Sequence, residues 1–230
     1  MSTINHIFEP KRLYLVWHHS KDVTPKHRRI VGEVYKDGGS AKFRYLKDSE
    51  DYKRATEEGF IGFPAFTKSS EIFEDALDAF STRLPPRKRA DFDKYLSQYG
   101  LPNDFHGSYM ALLGYTGARL ASDSFELCPD YSDVTAPADI LIEITGAHYH
   151  VDLAEIPPPG EQVEFLPEPD NLHDKNAVAV IYNNKKIGYI NKTTAIGFNR
   201  MLSTMDVDGY VLKSGELDNK IQIILLVTCR

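Results

Sequence analysis

The segment Ala177-Val178-Ala179-Val180-Ile181-Tyr182, then Asn183-Asn184, then Lys185 to Ile190 constrains the fold more than any other stretch of the chain. Two β-prone runs separated by two asparagines read as a hairpin, because asparagine tolerates the left-handed backbone that a tight two-residue turn needs. A hairpin alone cannot bury its apolar face, so further strands must lie nearby. Ile140 to Ile144, Gln162 to Leu166, Val207 to Leu212 and Ile221 to Val227 supply them, with Gly215 near a turn. Thr193 or Thr194 is placed to cap a helix that buries Ile196, Phe198, Met201 and Leu202. About six strands and one helix, with no βαβ alternation, predict a small β-barrel rather than a layered α/β sheet.

The preceding residues carry a different pattern. Leu13 to Trp17, Arg29 to Val34 and Phe43 to Leu46, with a turn signal at Lys36 to Ser40, predict a small antiparallel sheet. Ile72, Phe73, Ala76, Leu77 and Phe80 recur at helical steps, which predicts a helix opening at Ser69 or Ser70 and ended by Pro85-Pro86. Phe92, Tyr95, Leu96 and Tyr99 mark a second helix whose aromatic stripe reads as core. Tyr109 to Leu120 marks a third, interrupted by Gly114 and Gly117. The expected organisation is an α+β domain over 1–130, a linker over 131–138 in the Pro-containing stretch 128–138, and a mostly-β barrel with one or two helices over 139–230. Charge shifts at the same place, from net −1 over 1–135 to net −5 over 136–230.

Composition narrows the function classes. At 42% hydrophobic and 11% aromatic residues the chain holds enough apolar mass for ordinary cores. A net charge of −6 argues against a polybasic surface but leaves room for a local anion site. No apolar run approaches the ~20 residues of a membrane span, and the opening MSTINHIFEPKR has no signal-peptide core. Cys128 and Cys229 are far apart with no CxxC, which fits a reducing, cytoplasmic setting without disulfides or a zinc cage. Phosphate-loop, dinucleotide, serine-hydrolase, metalloprotease and kinase motifs are all missing, so a non-enzymatic protein without cofactor is expected.

Three clusters remain as candidates. Arg83, Arg87, Lys88 and Arg89 form the densest basic group, either a solvated helix start or a contact for phosphates or an acidic partner. Arg119 and Asp123 are expected to form a structural ion pair. His148 and His150 would share one face of a strand, where His173 or Asp174 could join them around a metal; the competing reading is ordinary polar side chains. Pro157 to Pro159 is a stiff surface loop.

The most specific signal is Glu168-Pro169-Asp170-Asn171-Leu172-His173-Asp174-Lys175-Asn176-Ala177-Val178-Ala179-Val180, followed by Lys186-Ile187-Gly188-Tyr189-Ile190 and preceded by Gly146-Ala147-His148-Tyr149-His150. Read by chemistry, Asn171 and Asp174 can bond their own backbone and hold a tight loop, and Asn176 starts the return to the sheet. Over about 139–228 these residues resemble the HIRAN domain. That resemblance implies an OB-like barrel that captures the 3′ end of single-stranded DNA. Tyr149 would stack on the terminal base, Asp174 would accept from the 3′-hydroxyl, and Lys192 would lie near phosphates. Asn171 and Asn176 belong to the same pocket. By the same resemblance, His148 stands where a well-described member of the family has arginine, His150 where it has tyrosine, and Tyr189 where it has histidine. The exchange at His148 removes a bidentate phosphate fork, and that at His150 removes stacking area.

In the first half, Leu13 to Trp17, Ile30 to Val34, Phe43 to Tyr45 and Phe80 to Pro85 resemble the small N-terminal subdomain of HipA-type toxin kinases. Arg87 to Leu96 and Leu113 to Phe125 are similar to the leader of bacterial HipA-like/HIRAN proteins. The combined expectation is a bacterial or phage adaptor of a defence or toxin–antitoxin locus. Its barrel would bind single-stranded DNA ends, and its N-terminal domain would dock a kinase, nuclease or helicase. The alternative is an in-trans regulator of a HipA-like kinase that has lost DNA binding. A metal-dependent hydrolase using His148, His150 and Asp174 is the third reading.

Overall fold

The computed structural model describes residues 4–19, 28–217 and 220–230. In chain order the elements are β1 (Arg12–His18), β2 (Arg28–Asp37), β3 (Ser40–Tyr45), α1 (Glu50–Glu57), α2 (Ala76–Ser81), α3 (Phe92–Ser97), α4 (Tyr109–Thr116), β4 (Phe125–Pro129), β5 (Ala138–Glu143), β6 (Gln162–Pro167), β7 (Val178–Tyr182), β8 (Lys185–Tyr189), α5 (Lys192–Thr204), β9 (Val207–Leu217) and β10 (Lys220–Cys229). They fall into two compact units, one of residues 9–92 and 107–130, the other of 4–8, 93–106 and 131–230. The class is as the sequence predicts: an α+β unit with a small antiparallel sheet, and a mostly-β unit with a curled six-stranded sheet and a helix. Among the described residues no helix is long and apolar enough to cross a membrane.

In the α+β unit the sheet order is β3-β2-β1-β4, all antiparallel. Its core is aromatic: Phe43 lies against Phe66, Phe73 and Phe80, and Phe63 against Phe80 and Phe125. This cluster corrects the helix expected to open at Ser69 or Ser70. Phe73 instead bridges to Phe43, donating N–H at 2.8 Å and accepting at 2.9 Å, which seats its ring in the cluster and leaves only Ala76–Ser81 helical. Ring packing outweighs the local helical period. The third helix stops at Thr116 with Gly117 left-handed at φ 66°. Cys128 and Pro129, at the start of the Pro-containing stretch, are the buried end of β4. The short helix α1 was not expected; Ser49 caps it, its hydroxyl accepting from Tyr52 N–H.

In the second unit the order is β5-β10-β9-β6-β7-β8. The β7–β8 turn is the expected one, with Asn183 and Asn184 at φ 48° and 62°. The two edges of the sheet then meet. Thr145, just past β5, bridges Tyr189 at the end of β8 through reciprocal N–H···O bonds of 2.8 and 2.9 Å. Gly188 makes this closure possible: its φ is +151°, and a Cβ there would stand 2.7 Å from the Thr145 carbonyl oxygen. Helix α5 buries Phe198 and Met201, as its spacing predicts, but Ile196 stays exposed. Gly215 lies within β9, and the turn expected near it lies outside the described residues.

Candidate functional site

The rim around the Thr145–Tyr189 bridge gathers most of the residues singled out in the barrel. After β5 the chain does not continue as a strand. Gly146 turns left-handed at φ 74° and Ala147–Tyr149 form a single 3₁₀ turn. This corrects the expectation that His148 and His150 share one strand face. His148 lies against Tyr149, with ring centroids 3.8 Å apart, whereas His150 meets the Tyr189 ring edge-on at 5.5 Å. Tyr149 is left 77% exposed, an aromatic face presented to solvent.

The loop from Glu168 to Ala177 is held by its own side chains. Asn171 Oδ1 accepts from the N–H groups of His173 (2.9 Å) and Asp174 (3.2 Å), and Asp174 Oδ1 accepts from Asn176 N–H (2.9 Å). The loop closes back on itself through Glu168 N–H to Ala177 O and Ala177 N–H to Asp174 O. Asn199 of α5 anchors it by donating to the Asn176 carbonyl at 2.7 Å. Asn171 and Asp174 are thus loop staples, and the second oxygen of Asp174 has no protein partner among the described residues. Between them Leu172 is 98% exposed, an apolar side chain that a rigid loop holds in water.

Two residues that motif reasoning did not select connect loop and rim. Glu168 accepts from Lys186 Nζ at 2.6 Å, from Asn171 Nδ2 at 2.9 Å and from the Tyr189 hydroxyl at 3.1 Å. Lys186 also donates to the Tyr189 hydroxyl at 2.6 Å, its ammonium 4.7 Å from the ring centre. The Lys186 ammonium, with Asn171 and Tyr189 assisting, holds the Glu168 carboxyl below the usual carboxylate range despite partial desolvation. The bonds to Glu168 and then Tyr189 raise Lys186. Desolvation, the Lys186 charge and His148 together lower His150, more than Glu168 raises it, so its imidazole is neutral at pH 7. Lys192 is exposed at the first residue of α5, next to the Asn191 cap.

The rim is therefore a half-buried tyrosine flanked by a neutral imidazole on one loop and an ion-paired lysine on its own strand. An exposed ring and an exposed leucine rise from the two loops. Such a surface offers stacking faces and hydrogen-bond donors with little net charge. His148, His150 and Asp174 do not assemble a metal site; among the described residues no three His, Cys, Asp or Glu side chains do.

The basic cluster of the α+β unit disperses. Arg83 is 6% exposed in its side chain, bidentate to Asp123 at 2.6 and 2.9 Å, and bonded to the carbonyls of Ala118 and Phe125. It is a core strut, not a surface contact. The expected Arg119–Asp123 pair is replaced by Arg83–Asp123 and Arg119–Glu126 at 2.7 Å, since the buried Glu126 needs cations and takes Arg28 as well. Arg87 donates to the Gly107 carbonyl and lies over the Tyr109 ring, and Arg89 pairs with Asp91. Lys88 is exposed.

Residues 139–227 match the family model of the HIRAN domain. Two solved structures resemble part of the chain. The crystal structure of the HIRAN domain of human HLTF is 21% identical, aligns over 40% of this chain and 74% of that chain, and gives a TM-score of 0.34. A protein from Lactobacillus plantarum, solved as a structural genomics target, is 21% identical over 41% of this chain and 100% of that one, with a TM-score of 0.31. No curated protein matches the chain.

Proposed function

We propose that the barrel binds the 3′ end of single-stranded DNA at the rim of Tyr149, Asp174 and Tyr189, and that the protein acts without catalysis, as an adaptor whose α+β unit docks a partner protein. The family match over 139–227 supports DNA binding, HIRAN domains being DNA-binding modules. The observation that carries the site is Tyr189, whose ring meets His150 of one loop while its hydroxyl bonds Glu168 of the other. Both loops thereby lie at one rim, with the Tyr149 ring exposed for stacking and one Asp174 oxygen available to a hydroxyl donor. A carboxylate that accepts from a terminal hydroxyl distinguishes a strand end from an interior nucleotide. A duplex surface is disfavoured by the net charge of −5 over 136–230, because phosphate neutralisation supplies most non-specific affinity.

Stacking on one aromatic ring is worth about 1–3 kcal/mol per base. Tyr149→Ala therefore weakens binding of a 3′-OH oligonucleotide by about five- to 150-fold in fluorescence anisotropy. Asp174→Asn keeps an oxygen for the Asn176 amide while removing the charge, and abolishes preference for a 3′-hydroxyl over a 3′-phosphate. Unchanged binding by both variants overturns the site. A second reading, an in-trans regulator of a HipA-like kinase, is favoured by the pairing of Lys186 with Glu168, which leaves the acidic barrel with little spare positive charge at the rim. Co-purification with a kinase core, together with no measurable DNA binding, selects it.

A further inference from the structure

Three hydrogen-bond donors on this rim converge on one carboxylate. The Lys186 ammonium, the Tyr189 hydroxyl and the Asn171 amide all point at the two oxygens of Glu168, at 2.6, 3.1 and 2.9 Å. Donors from one strand and a facing loop, aimed at one pair of anionic oxygens, are the arrangement that also cradles a phosphate. We propose that Glu168 occupies the seat of a DNA phosphate in the ligand-free protein, and that binding exchanges its carboxylate for a phosphate oxygen on Lys186, Tyr189 and Asn171. This rests on the reading of the rim as a DNA-end site, and adds the residue that meets the backbone and the residue that competes with it.

Local structure allows the exchange. Glu168 sits between Pro167 and Pro169, whose rings stiffen the backbone, so the carboxylate can swing out by side-chain rotation alone. Its backbone N–H remains bonded to the Ala177 carbonyl whichever way the side chain points. The pair is partly open to water, with side chains 31% exposed for Lys186 and 23% for Glu168, so a phosphate can approach and the pair it displaces is a weak one. Position matters as well. Lys186 touches Tyr189, whose ring meets His150, one residue from the exposed Tyr149, so a base stacked on Tyr149 places its own backbone near the cradle. Selectivity follows: a weak anion does not displace the carboxylate, whereas a phosphate already anchored by a stacked base does.

The test measures anisotropy of a 5′-labelled oligothymidine with a 3′-hydroxyl across a salt series, for the full chain and for Glu168→Gln and Lys186→Gln, each checked for an unchanged thermal transition. Each phosphate neutralised on a single strand contributes about 0.7 to the slope of log affinity against log salt. Lys186→Gln lowers the slope by about that amount and weakens binding by about ten-fold. Glu168→Gln removes the competitor, tightening binding several-fold and keeping or steepening the slope. If the parent chain binds and neither variant changes slope or affinity, the exchange is wrong and the end-site reading stands. If Glu168→Gln binds more weakly while its fold is intact, Glu168 is a needed contact and not a competitor, and the exchange is again wrong. If the parent chain does not bind the oligonucleotide, both fall together.

Discussion

Gly188→Ala tests the link between barrel closure and the site. The added Cβ would meet the Thr145 carbonyl oxygen at 2.7 Å and Ile144 Cδ1 at 3.2 Å, and the backbone φ of +151° is one that alanine rarely adopts. The strained backbone costs about 2 kcal/mol. Relief by moving the strand gives up the two Thr145–Tyr189 bridge hydrogen bonds, worth about 1 kcal/mol each. That movement relieves the clash with Thr145 but not the φ strain of residue 188, so the expected loss is about 4 kcal/mol. Urea denaturation of the full chain, followed by barrel signals, measures the loss. Hydrogen exchange at the Thr145 and Tyr189 amides locates it, because those two amides lose protection before the rest of the sheet. With His150 no longer held against Tyr189, binding at the rim weakens too. A variant within about 0.5 kcal/mol of the parent, with both amides still protected, refutes the account of how the sheet closes.

Other expectations are quickly checked. Arg83→Ala strands the Asp123 carboxylate and two carbonyls, so it lowers stability by about 3 kcal/mol in a denaturant titration, whereas Lys88→Ala changes it by less than about 0.5 kcal/mol. Burial, with a smaller contribution from Asp139, pushes the Cys229 thiol up to about 11; a thiol reagent at pH 8 labels it slowly in the native chain and quickly in denaturant. His150 titrates below the ordinary imidazole value of about 6.5 in an NMR pH series. Because the unfolded chain takes up that proton first, this residue lowers stability as pH falls through about 6.5. Lys186→Gln raises the His150 midpoint and Glu168→Gln lowers it further.

How far the sequence foretells this molecule depends on which force acts locally. The β7–β8 hairpin is legible because Asn183 and Asn184 carry its geometry in their own backbone preference. The remaining barrel strands are legible from their apolar runs. Helix α1 is not, since Tyr52 and Ala55 alone of its eight residues are buried and its apolar signal is thin. Phe73 is misread because its spacing from Phe80 is helical while its ring belongs to an aromatic cluster assembled from distant residues. At the site, Asn171 and Asp174 are visible as turn formers, the role in which they are found. The Lys186–Glu168 pair is hidden, because it exists only once β8 folds back beside the loop. Gly146 was the available signal that the strand ends before His148, a position where glycine supplies the left-handed turn.

The most direct measurement compares two otherwise identical labelled single strands, one ending in a 3′-hydroxyl and the other in a 3′-phosphate, titrated with the full chain at a fixed moderate salt concentration. The account predicts clear preference for the hydroxyl, lost in Asp174→Asn. Equal affinity for both ends, or tighter binding of the phosphate-terminated strand, contradicts it.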